Sequence, residues 1–114
     1  MPSTFAAAPA PMAQSGFTSP PVGDIARCRA MWEPIIGAST AQPIPDDVTT
    51  SEYYATGDDG AQIKMRCYVT NGATLDPSAL FFHGGGYIVG HIDPFDGAVS
   101  RYLSASGVPM LSVD

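Results

Sequence analysis

The sequence predicts an α/β fold, and three observations predict it. Residues 79–113 read as strand, glycine loop, helix and strand. Residues 51–70 read as an antiparallel hairpin. Within the first of these, in LFFHGGGYIVGHIDPFDG (80–97), an apolar strand runs into three consecutive glycines directly behind a histidine. Glycine packs nothing and costs order in a strand, so the strand ends there and the bare backbone calls for a reason.

Taken in order, residues 1 to about 23 are rich in Pro, Ala and Ser and are predicted to be a loose tail. Asp24 suits a helix N-cap, and Ile25, Cys28, Trp32 and Ile35 or Ile36 follow at near-helical spacing. A short amphipathic helix is expected, kinked or ended by Pro34 and Gly37. Residues 39–47, with Pro43 and Pro45, read as extended linker.

Residues 51–56 carry Tyr53 and Tyr54 and read as a strand, and Asp58-Asp59-Gly60 is a turn signal. Over residues 61–70, Ile63, Met65, Cys67 and Val69 alternate with Gln62, Lys64, Arg66 and Tyr68. A period of two over that length predicts a half-buried strand, and the pair makes a hairpin. Residues 71–78 are loop, and residues 79–82 are a short apolar strand.

The next helix is the clearest in the chain. Asp93 suits its N-cap, Pro94 its first position, and Asp96 the positive end of its dipole. Phe95, Ala98, Val99, Tyr102 and Leu103 share one face, and Gly107 is placed to stop it. Residues 108–113 form another apolar strand. Strand, helix and strand make a crossover between parallel strands, right-handed by rule. Both strands are almost wholly apolar, which predicts a sheet covered on both faces. The organisation is therefore 1–47, tail, helix and linker, followed by 48–114, the sheet-bearing part.

A chain of 114 residues suffices for one small domain. Its five Lys and Arg are scattered and its formal net charge is -6, which argues against nucleic acid or an anionic membrane as partner. No apolar run approaches the roughly 18 residues of a membrane span. The N-terminus lacks the basic start and apolar stretch of a secretory signal, so a cytoplasmic protein is expected. Cys28 and Cys67 make no disulfide framework; free thiols are the simpler reading and a bridge the alternative. VPMLSVD is strand-like up to Asp114, which suggests an incomplete domain.

A loop after a strand of an open α/β sheet sits at the carboxyl edge, where ligands bind. Gly84, Gly85 and Gly86 there would present backbone N–H groups to something negative. A phosphate loop usually adds Lys and Ser/Thr and turns at once into a helix, and neither feature is present. A developing oxyanion is the other candidate, since acyl-transfer enzymes aim N–H donors at it, each worth about 3–4 kcal/mol of barrier.

The stretch FFHGGGYIVGHIDPFDGAVSRYLSASGVPMLSVD resembles the α/β hydrolases of the hormone-sensitive-lipase type. In that family a strand ends in His-Gly-Gly-Gly-aromatic, a Gly and an Asp-containing helix start follow, and the next strand ends in Asp. Positions 79–114 match this order; the hairpin and first helix are compatible with it. The resemblance implies a partial α/β-hydrolase fold, the N-terminal hairpin plus strand-helix-strand crossover, with the remainder of the sheet missing. It implies that Gly85 and Gly86 supply oxyanion-hole donors, that His83, with Gly84, supports the loop instead of acting as base, and that Tyr87 lies near the substrate pocket. The helix after Asp24 would belong to a cap over the site.

The sequence also departs from the family. The catalytic serine would sit in G-x-S-x-G, and no such pentapeptide occurs. The acid and histidine come later still, so none of the triad is present. His91, Asp93 and Asp96 are close enough to suggest a metal, but the aspartates already serve as helix-start residues and no metal is expected. Ser104 and Ser106 read as helix-end residues, and Glu33 and Asp58 as solvated. The reading is the N-terminal portion of a serine carboxylic-ester hydrolase, esterase or lipase-like, acting on small esters of short acyl chains without a cofactor and inactive as this chain alone. The alternatives are an inactive short or decayed hydrolase-like protein with a binding role, and an unrelated α/β module whose glycines bind phosphate or another backbone.

Overall fold

The computed structural model describes residues 18–74 and 78–114. Of the tail expected over residues 1 to about 23, residues 1–17 lie outside them. The elements are α1 (Ile25–Thr40), β1 (Val48–Thr56), β2 (Gln62–Thr70), β3 (Ala79–Phe82), a 3-10 turn (Asp93–Phe95), α2 (Asp96–Ser106) and β4 (Met110–Val113). The strands form one mixed sheet in the order β1-β2-β4-β3. β1 and β2 are the antiparallel hairpin, closed at Thr56↔Gln62 by the Asp58-Asp59-Gly60 turn. β2 pairs antiparallel with β4, and β4 pairs parallel with β3, as the crossover requires.

Asp24 caps α1 as expected, its side chain accepting from the Arg27 N–H at 3.0 Å. The helix nevertheless runs through Pro34 and Gly37 to Thr40. The Ser39 and Thr40 hydroxyls donate back to the Ile36 carbonyl at 3.0 and 2.7 Å, and the Ala41 N–H closes on Gly37 at 3.1 Å. These bonds satisfy the last turn, so the expected linker begins at residue 41. Among the described residues, no helix is long and apolar enough to cross a membrane.

The alternation in β2 is present, but its polar side is the one that packs on α2. Tyr68 is wholly buried with Val48, Val99, Leu103 and Met110, and Phe81, Phe95 and Ile44 pack around that cluster. The Tyr68 hydroxyl donates to the Asp96 carboxylate, which offsets the cost of burying it. Burial, and then that bond, pushes the phenol pKa well above its ordinary value of 10.0. Cys67, on the opposite face, is buried too, and burial raises its thiol pKa. Both cysteines are free.

Asp93 does not cap the second helix. Its carboxylate lies 2.8 Å from the Arg66 guanidinium, while Phe95 occupies the N-cap without a side-chain bond. A charge-assisted pair is stronger than a cap bond, and Arg66 reaches Asp93, Asp96 and Glu52 from β2. Burial works against the Arg66 charge, but these bonds outweigh it and move its pKa upward. Asp96 does lie in the first turn, and Gly107 ends α2, its N–H donating to Leu103 at 2.7 Å. Val99 and Leu103 are buried as expected, whereas Tyr102 stays half-exposed against Phe81.

The expectation of a sheet covered on both faces fails among the described residues. β3 is an edge strand, and Leu80 and Phe82 are 59% and 68% exposed on the side away from α2. Ile63 is exposed on that side as well.

Candidate active site

β3 delivers His83 and the glycines to the carboxyl edge of the parallel pair, and β4 delivers Asp114 to the same edge. The turn after the strand is closed by its own backbone: the Ile88 and Val89 N–H groups donate to the Gly85 carbonyl at 3.2 and 3.1 Å. Gly85 has φ 148° and Gly86 φ 59°. A Cβ on Gly85 would run into the Val89 carbonyl, so only glycine permits this closure, whereas Gly86 faces open space. Tyr87 also has a left-handed φ, 63°, a conformation that costs a non-glycine residue on the order of 1 kcal/mol.

The N–H groups of Gly85 and Gly86 meet no acceptor among the described residues. Other parts of the loop are tied. The His83 Nδ1–H donates to the Gly84 carbonyl at 2.9 Å. The His83 ring stacks on Phe95, with centroids 5.6 Å apart at 21°. Its Nε2 stands 3.9 Å from Asp114 Oδ1, which accepts the Ile92 N–H at 3.0 Å. The Asp114 N–H in turn donates to the Lys64 carbonyl at 3.0 Å, fixing the end of β4 to β2.

His83, the three glycines and Asp114 line an open cleft of about 710 Å³, with Phe82 and Val113 on its apolar wall and Tyr87 and Arg29 at its rim. α1 lies over the loop, and the Arg29 Nε–H donates to the Ile88 carbonyl at 2.7 Å. A smaller crevice of about 320 Å³ separates α1 from the loop, lined by Cys28, Trp32, Ile88 and Val89 with Gly85 and Gly86.

The structure thus brings together His83, Gly84, Gly85, Gly86 and Tyr87. It leaves Ser106 at the end of α2, donating to the Tyr102 carbonyl at 2.7 Å and accepting the Val108 N–H at 3.1 Å. His91 stands 3.8 Å from Asp93, whose carboxylate belongs to Arg66, and no group of three metal-ligating side chains assembles among the described residues. Sequence reasoning missed Arg29 and the anchoring role of Asp114. Arg29 carries no local signal, since its partner is a main-chain carbonyl 59 residues away. The Asp at the end of a strand beside a glycine loop was a usable signal for the second.

The fold is a partial α/β-hydrolase fold, similar to that of esterases of the hormone-sensitive-lipase type. Among solved structures the chain is similar to an esterase of Pyrobaculum calidifontis, at 24% identity over 94% of this chain and 34% of that one, with a TM-score of 0.68. It is similar to a bacterial heroin esterase at 28% identity, covering 80% of this chain and 29% of that one, TM-score 0.67. It is also similar to a thermophilic carboxylesterase from a metagenomic library, at 27% identity over 79% and 30%, TM-score 0.64. The chain spans about a third of the length of these structures. No protein-family model and no curated protein sequence matches it.

Proposed function

We propose that the chain is the N-terminal portion of a serine carboxylic-ester hydrolase, and that residues 83–87 are its oxyanion loop. One observation carries the reading: the Gly85 and Gly86 N–H groups, unbonded, stand on a loop whose other contacts hold it still. Donors fixed before reaction stabilise a developing alkoxide without reorganising, which is where such enzymes gain most of their rate. A serine supplied by the rest of the protein would attack the ester carbonyl, a histidine would take its proton, and the carbonyl oxygen would collect charge against Gly85 and Gly86. His83 fits the supporting role: its Nδ1–H is committed to Gly84 and its ring to Phe95. Tyr87, fully exposed at the cleft rim, would contact the acyl or alcohol group. The substrates are small carboxylic esters, no cofactor or metal takes part, and residues 1–114 contain no G-x-S-x-G.

The test is hydrolysis of 4-nitrophenyl butyrate by the protein expressed from its complete gene. Turnover that a fluorophosphonate abolishes supports the reading. A protein that neither hydrolyses the ester nor takes the label refutes it and favours the decayed, binding-only alternative.

A further inference from the structure

α1 lies over the loop along an exposed face. No residue of this 16-residue helix is fully buried. An apolar crevice of about 320 Å³ parts it from the glycines. Its following segment is anchored, because the Gln42 backbone packs so closely on Gly97 that a Cβ there would lie 2.6 Å from the Gln42 carbonyl oxygen.

A polar tie joins α1 to the glycine turn: the 2.7 Å bond from Arg29 to the Ile88 carbonyl. Ile88 closes the turn on Gly85 through its own N–H, directly after Tyr87 with its left-handed φ of 63°. Arg29 therefore grips the turn where its backbone is strained and where Gly85 is fixed. Arg29 forms no ion pair among the described residues.

We infer that Arg29 is a positioning residue: by holding the Ile88 carbonyl it sets the aim of the Gly85 and Gly86 N–H groups, so that docking of α1 completes the oxyanion loop. This rests on the esterase reading above. With the Arg29 bond in place the turn is locked; without it the turn loses its outer bond and the donors drift. Misalignment of about 1 Å at such a site costs on the order of 100-fold in rate.

The experiment is steady-state hydrolysis of 4-nitrophenyl butyrate by the protein from its complete gene, comparing wild type with Arg29→Met, Arg29→Lys and Arg27→Met. Arg27→Met removes the same charge from the same exposed helix. Arg29→Met is expected to lower kcat about 10- to 100-fold with KM changed less than about twofold, because the lost interaction matters only in the transition state. Arg29→Lys, still a donor, should recover part of the loss, and Arg27→Met should behave as wild type. An active wild type with Arg29→Met equal to Arg27→Met, or with a loss confined to KM, overturns the latch and leaves the esterase reading standing. A wild type that hydrolyses no ester overturns that reading and the latch with it.

Discussion

Arg66 on β2 holds Asp96 at the start of α2 through hydrogen bonds of 2.8 and 3.0 Å to its two carboxylate oxygens. The same guanidinium reaches Asp93, two residues before the Phe95 ring on which His83 stacks. Hairpin and helix are thereby joined through one side chain, close to the ring on which His83 stacks.

Replacing Arg66 by Met leaves the partly buried Asp96 without its cation and Tyr68 beside an uncompensated charge. Breaking such a pair costs about 2–4 kcal/mol. In the protein from its complete gene, the denaturation midpoint should fall by that equivalent with an unchanged slope. A variant within about 0.5 kcal/mol of wild type would place the network among solvated surface pairs.

Stability should fall at both ends of the pH scale. Glu52 is exposed, and its bonds to Arg66 and then Lys64 hold its pKa below the ordinary 4.5. A depressed carboxyl stabilises the fold above its unfolded pKa, and the contribution is lost as pH drops through the folded value. Tyr68 is raised above 10.0, so its contribution is full below pH 10 and is lost as pH climbs beyond, where the unfolded phenol ionises and the folded one does not. Melting temperature against pH should show an alkaline decline starting near pH 10 that flattens in Tyr68→Phe. An unaltered alkaline limb in that variant would contradict the assignment.

Two neighbouring glycines should respond differently to alanine. Gly85→Ala drives a Cβ into the Val89 carbonyl and must open the turn, so turnover should fall more than about 100-fold. Gly86→Ala meets open space, and its cost is the left-handed φ of 59°, on the order of 1 kcal/mol. Rates for both variants, with circular dichroism as the folding control, decide it; equal effects would contradict the loop geometry.

Residues 1–114 expressed alone should hydrolyse no ester and should self-associate. β3 offers an unpaired edge with Leu80 and Phe82 exposed beside it, a template for strand addition. Light scattering after gel filtration checks this. A monodisperse monomer that melts cooperatively would contradict it.

The backbone plan was legible because its signals are local: the period of two in residues 62–69, the Asp-Asp-Gly turn, Asp24 as cap, Gly107 as stop. The glycine loop was legible because nothing else explains glycines at that point in a strand. What was not legible was decided by distant partners. Asp93 abandons its cap for an arginine 27 positions back in sequence, as the register of β2 against α2 dictates. Tyr68 reads as the polar side of its strand until Asp96 takes its hydroxyl. Pro34 is a different case: with Gly37 it reads as a kink or an end, and local bonds beyond it carry the helix on to Thr40.

The most direct test of the central claim is fluorophosphonate labelling of the protein from its complete gene, with the modified residue located by peptide mass spectrometry. The account predicts one labelled serine, inside a G-x-S-x-G and outside residues 1–114, with the label blocked by a competing short-chain ester. No label, or a label on a serine within residues 1–114, would contradict it.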